Sequence, residues 1–113
     1  MTAFALPQRT DVLTFAAEWL EPSRVRITVH GDIDAYNAPQ LAEYVFQRAA
    51  NCKEMVLDMS GVEFFSTAGF ARLRTIEIRC ARAGVHWTLI PSTAVTRVLA
   101  ICDPRDTFPT AAA

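Results

Sequence analysis

The spacing of hydrophobic residues changes several times along the chain, and each change marks an element. Val25, Ile27 and Val29 alternate with Arg24, Arg26, Thr28 and His30, the two-residue period of a strand with one face inward. Before it, residues 10–17 carry Val12, Leu13 and Phe15 in a β-leaning pattern that runs on through Trp19 and Leu20. The turn-forming Glu21-Pro22-Ser23 separates the two stretches, which predicts a hairpin. Gly31 to Asn37 then reads as a polar loop. Residues 38–50 read as a helix, with Pro39 near its first turn, Leu41, Val45 and Ala49 on one face, and Tyr44 and Phe46 flanking them.

The stretch around which the rest is arranged is 55–73, MVLDMSGVEFFSTAGFARL. Met55, Val56 and Leu57 form a short apolar run ending in Asp58, as expected of a strand covered on both faces. Gly61 is placed to turn the chain, and Phe64 and Phe65 to re-enter the core. Phe70, Leu73, Ile76, Cys80 and Ala83 then recur at helical spacing. Ser66 fits the N-cap of that helix, which puts the Thr67 hydroxyl at the first helical position, in the partial positive field of the helix end. Gly84 suits a left-handed C-cap, VHWTLI (85–90) a further strand closed by Pro91, and Ser92 or Thr93 a cap for a last helix through Val95, Val98, Leu99 and Ile101. Pro104 stops that helix and Phe108 folds back before a small Ala-rich tail.

This order predicts an α/β fold: one domain over 1–113 with its core at about 12–108, built on a mixed, mostly parallel sheet of about four to five strands with helices packed against it. A length of 113 residues, 51% hydrophobic and 20% charged, fits one soluble globular unit. The net charge of −1 gives no global field toward nucleic acid or anionic lipid. Met1 to Pro7 lacks the pattern of a signal peptide and no apolar run is long enough to span a membrane, so the expected location is cytoplasmic. His30 and His86 have no ligands at metal spacing, and no metal or other cofactor is expected.

Two motifs carry a family resemblance. GDIDAYNAPQL (31–41) resembles the Gly-x-x-Asp pattern of STAS domains, the family of bacterial anti-sigma factor antagonists. DMSGVEFFSTAGFARL (58–73) resembles that family's Asp-Leu-Ser-x-Val-x-x-hydrophobic-Asp-Ser-Ser-Gly motif, in the right order after the first. The resemblance implies a four-stranded sheet with helices, no catalytic activity, and a switch. The unphosphorylated protein would bind an anti-sigma factor, often a serine kinase, and so free a sigma factor; phosphorylation would end the binding. In this chain Ser66 stands where the family usually has Asp, Thr67 at its first Ser, and Ala68 at the usual phosphoacceptor. The acceptor candidates are therefore Thr67 and Ser66, unless control by phosphate is absent. A phosphate there would add about −1.5 to −2 charge at a helix N-terminus that tolerates an anion.

The resemblance places a partner surface at Asp32, Asp34, Ser66, Thr67, Ala68, Gly69, Phe70 and Arg72, with small Ala68 and Gly69 allowing close approach. Plainer roles compete at each: helix capping for Ser66 and Thr67, turn chemistry for Asp32 and Asp34, and a solvated helix face for Arg72, Thr75, Arg79 and Arg82. Asp58 reads as a strand-end residue holding the next loop. Cys80 and Cys102 read as buried small hydrophobes, with an oxidisable pair as the sharper alternative. A STAS module that binds a small ligand or lipid, or serves as a subunit of a larger signalling or transport assembly, is the second functional class; a substantial apolar pocket would favour it. An enzyme using Ser66 or Thr67 as nucleophile ranks last, because neither a general base nor a Gly-x-Ser-x-Gly elbow accompanies them. With only Pro109 to Ala113 after Phe108, the C-terminal sheet edge is expected to be bare, which leaves a homodimer open.

Overall fold

The alternation at 24–33 becomes a strand whose inward row, Val25, Ile27, Val29 and Ile33, is fully buried. A computed structural model describes residues 12–112, so Thr10, Asp11 and the Met1 to Pro7 stretch lie outside the described residues. The elements in order are β1 (Thr14–Glu21), β2 (Arg24–Ile33), α1 (Ala38–Arg48), β3 (Glu54–Phe65), α2 (Thr67–Ala83), β4 (His86–Pro91) and α3 (Thr93–Cys102). They form a mixed four-stranded sheet in the order β1-β2-β3-β4, with β1 antiparallel to β2 and the other neighbours parallel.

The inward row of β2 meets Met55 and Leu57 of β3 across the ladder, and Leu57 meets Leu89 of β4. Leu41 and Val45 of α1, Leu73 and Ile76 of α2, and Val95 and Leu99 of α3 close one core over these residues. Burying an aliphatic side chain of this size stabilises by about 1.5–3 kcal/mol, so the row fixes the register of the whole sheet. Ala83, predicted on the apolar stripe of α2, is exposed, because Gly84 with φ of 70° already ends the helix there. The sheet is thereby anchored at its centre, and its C-terminal end carries the loops that matter below.

Further expectations are corrected. Gly61 does not turn the chain: β3 runs on through it to Phe65. Between Thr28–Asp58 and His30–Gly61, β3 holds one more residue than β2, and a second irregularity falls between Gly31 and Asp32. These bulges let twelve residues of β3 run beside ten of β2. A Cβ at Gly61 would sit 2.0 Å from Nδ1 of His30, so glycine serves the close approach of the His30 ring. The loop predicted from Gly31 starts only at Asp34, because Gly31 at φ 112° and then Asp32 and Ile33 continue β2. The β4 edge is not bare: Leu89 N–H donates to the Pro109 carbonyl and Ala111 N–H to the Leu89 carbonyl, each at 2.9 Å. The tail thus adds a short parallel bridge at Leu89, covering part of the edge that was expected to be bare.

Asp58 is likewise mid-strand and not at a strand end. Its carboxylate accepts from the Ser60 hydroxyl at 2.6 Å and the Ser60 N–H at 3.0 Å, and pairs with the Arg26 guanidinium. Burial opposes its charged form, but the Ser60 and Arg26 hydrogen bonds and the Arg26 charge outweigh burial and hold the carboxyl below its ordinary value. Asp58 therefore fastens the first bulge.

Candidate functional site

The site is the corner where β2 and β3 end together. Ile33 and Phe65 are the last pair of the parallel ladder, and the Ser66 N–H donates to the Ile33 carbonyl at 3.0 Å. That bond sets the start of α2 directly beside the start of the Asp34 loop. Ser66 is extended (φ −89°, ψ 168°), its Oγ accepts from Gly69 N–H at 3.2 Å and its carbonyl from Phe70 N–H at 3.1 Å. Ser66 is the N-cap its sequence position predicts, and its hydroxyl is turned back on the first turn. Thr67 stands one residue on, at the exposed first helical position, and no acidic side chain occupies that turn.

The facing loop is braced from within. The Asp34 carboxylate accepts from Tyr36 N–H and Asn37 N–H at 2.9 Å each, and Asn37 answers by accepting from Asp34 N–H and donating to the Asp32 carbonyl, both at 2.9 Å. The turn chemistry proposed for Asp34 is therefore present. It fixes the outward presentation of Tyr36, which is 90% exposed. Phe64, expected in the core beside Phe65, is instead 40% exposed, since successive strand residues point to opposite faces. Tyr36 and Phe64 are the site residues that sequence reasoning missed. A strict period of two from buried Val62 would turn Phe64 inward; the second irregularity of the ladder, beside Glu63, breaks that period, and Tyr36 carries no sequence signal beyond an aromatic in a polar loop.

Gly69 belongs to the partner surface only by backbone position. It is buried, and a Cβ there would lie 2.5 Å from Phe65 Cε1 and 3.0 Å from Ile33 Cγ2. Its small size serves packing of the first turn onto the strand ends and not the approach of another molecule. Ala68 is half-buried and Arg72 exposed. Phe70 is half-buried and packs edge-to-face on Phe108 with centroids 5.6 Å apart. Phe108 also meets Trp87 edge-to-face, and the Arg74 guanidinium lies 4.7 Å from its ring centre.

Arg74 joins this aromatic group to the tail. It donates to Glu77 at 3.1 Å and to Thr107 Oγ1 at 3.0 Å, and pairs with Asp103 at 3.5 Å. The Asp103 carboxylate also accepts from the Thr107 hydroxyl and from the N–H groups of Thr107 and Phe108. Burial again works against its charge, but these bonds and the Arg74 charge outweigh it, and the carboxyl titrates below its ordinary value.

Cys80 lines a cavity with Cys52, whereas Cys102 is the half-buried last residue of α3 and does not line it. Burial, with smaller contributions from Cys52 and Glu77, pushes the Cys80 thiol up to about 11, and burial also raises Cys52. Among the described residues no cluster of three His, Cys, Asp or Glu side chains could hold a metal, and no helix is long and apolar enough to cross a membrane.

The STAS domain family model matches residues 20–112, nearly the whole described chain. The chain belongs to the STAS domain family. Osmosensory protein A of Mycobacterium tuberculosis (strain ATCC 25618 / H37Rv) is 40% identical over 73 residues, 65% of this chain and 46% of that protein, so this STAS domain matches less than half of that relative's length. Among solved structures, an anti-sigma factor antagonist from Mycobacterium paratuberculosis superposes with a TM-score of 0.77 at 23% identity, covering 89% of this chain and 86% of that one. The anti-sigma factor antagonist SpoIIAA in its unphosphorylated form gives 0.67 at 17% identity, covering 87% and 88%. The four-stranded mixed sheet with three helices is therefore the STAS fold.

Proposed function

We propose that this STAS domain is a non-catalytic, cytoplasmic anti-sigma factor antagonist that binds an anti-sigma factor of the serine-kinase type and so frees a sigma factor. The observation that carries the reading is the exposed Thr67 hydroxyl at the N-terminus of α2, set beside the Asp34 loop by the Ser66–Ile33 bond. Tyr36 in the Asp34 loop and Phe64 near the end of β3 supply exposed aromatic area, the composition that anchors protein interfaces. Arg72 adds a cation along the same helix for an acidic partner.

Phosphorylation at Thr67 is the switch that this reading favours over Ser66. The Thr67 side chain is exposed, while the Ser66 hydroxyl is engaged by Gly69 N–H. A phosphate on Thr67 would meet unpaired first-turn N–H groups, so it would recharge the docking surface without unfolding the domain. Incubation with candidate serine kinases, followed by mass-spectrometric mapping, tests this: phosphate on Thr67 supports the switch, and phosphate on neither Thr67 nor Ser66 removes it.

A further inference from the structure

At the other end of α2, twelve residues and about 18 Å from Thr67 along the helix axis, a cavity of about 330 Å³ opens between the C-terminal turns of α1 and α2. Its lining is mixed: Val45, Phe46, Ala49, Met55 and Val85 with the Cys52 and Cys80 thiols supply apolar side chains, and Asn51 and Arg79 are polar members of the same lining. Four carbonyls of the last helical turns accept from main-chain N–H groups. Val45 and Ala49 accept from Ala49 N–H and Cys52 N–H, and Cys80 and Ala81 from Val85 N–H and Gly84 N–H. At the mouth stands one charged side chain, Arg79, its guanidinium 4.0 Å over the Phe46 ring. Among the described residues Arg79 has no carboxylate partner.

We infer that this cavity binds a medium-chain carboxylic acid, with its hydrocarbon chain between α1 and α2 and its carboxylate on Arg79. Size and charge agree, and most of the lining side chains are apolar. The volume equals roughly eleven water volumes at about 30 Å³ each, room for about ten non-hydrogen atoms, and it falls at the lower end of small-molecule pockets. Stacking on Phe46 holds one face of the guanidinium and leaves its N–H edge for a planar carboxylate. The weak partial negative charge of two helix C-termini disfavours an anion deep in the cavity, which leaves the Arg79 mouth as the place for the head group.

The test is titration of the isotopically labelled protein with octanoate, followed by amide NMR, beside Arg79→Gln and the uncharged analogue octanol. Arg79 is exposed, and unchanged spectral dispersion verifies that its variant is folded. The expected result is a saturable shift of the Cys52, Met55, Cys80 and Val85 amides, about tenfold or more weaker binding by Arg79→Gln, and weaker binding of octanol that Arg79→Gln leaves unchanged. The inference is overturned if millimolar octanoate shifts none of these amides, if Arg79→Gln binds octanoate equally well, or if octanol binds as tightly as octanoate. None of these outcomes depends on what docks at Thr67.

Discussion

The N–H of Ser66 donates to the carbonyl of Ile33 at 3.0 Å, one residue beyond the last rung of the β2–β3 ladder. This bond makes two separate sequence motifs one surface, because the first leaves β2 at Asp34 and the second enters α2 at Thr67. Ser66 therefore holds the corner and Thr67 is presented by it. The two hydroxyls should separate cleanly in experiment.

Ser66→Ala removes the acceptor for Gly69 N–H at the N-cap. It is expected to cost about 1 kcal/mol, read as a fall of a few degrees in Tm. Thr67→Val, at an exposed position, should stay within about 0.5 kcal/mol of the parent. Differential scanning calorimetry of both variants checks the assignment, and equal Tm losses would contradict it.

Gly69→Ala tests whether the glycine serves packing or partner access. The added methyl would press on Phe65 and Ile33, and overpacking of this kind costs about 1–3 kcal/mol. The gain in helix propensity, about 1 kcal/mol, offsets part of that. A measurable net loss in urea midpoint is expected in the isolated protein, where no partner is present.

How much of this was legible in the sequence depends on the residue. Alternation at Val25, Ile27 and Val29, the caps at Ser66, Ser92 and Gly84, and the return of Phe108 to the core all follow from local physics and all appear in the structure. Bulges break that logic. Met59 and Ser60 stand against Val29 alone on β2, so the period slips and Gly61 looks like a turn. The tail on β4 was equally hidden, because Pro109-Thr110-Ala111 has little β propensity and is held by two backbone bonds to Leu89. Cys52 meets Cys80 only through the packing of α1 on α2, a contact that no spacing encodes.

The Asp103 clasp predicts a pH dependence. Its folded carboxyl titrates below the ordinary value of 3.8, so the stability it adds is fully present above that value and is lost as pH falls through the lower, folded one. Asp103→Asn should lower Tm at pH 7 and flatten the decline of Tm below about pH 4. Asp58 contributes in the same direction, so Asp103→Asn should leave part of the slope in place. An unchanged pH profile would show that the carboxylate at 103 is not held in its charged form.

The Cys80 thiol, pushed up to about 11, is almost entirely protonated at pH 7.5, and the thiolate is the reactive form. Native protein treated with iodoacetamide at that pH should be alkylated at half-buried Cys102 well before Cys80, as read by peptide mass spectrometry. Rapid labelling of Cys80 would contradict its burial in the α1–α2 cavity.

The central claim is that the corner carrying Thr67 docks on an anti-sigma factor. Isothermal titration of the cognate serine-kinase anti-sigma factor with the parent protein and with Thr67→Glu tests it most directly. A negative charge at the corner should weaken binding at least tenfold while Tm stays unchanged. Equal affinity of the two proteins, or no binding by the parent, would contradict the account.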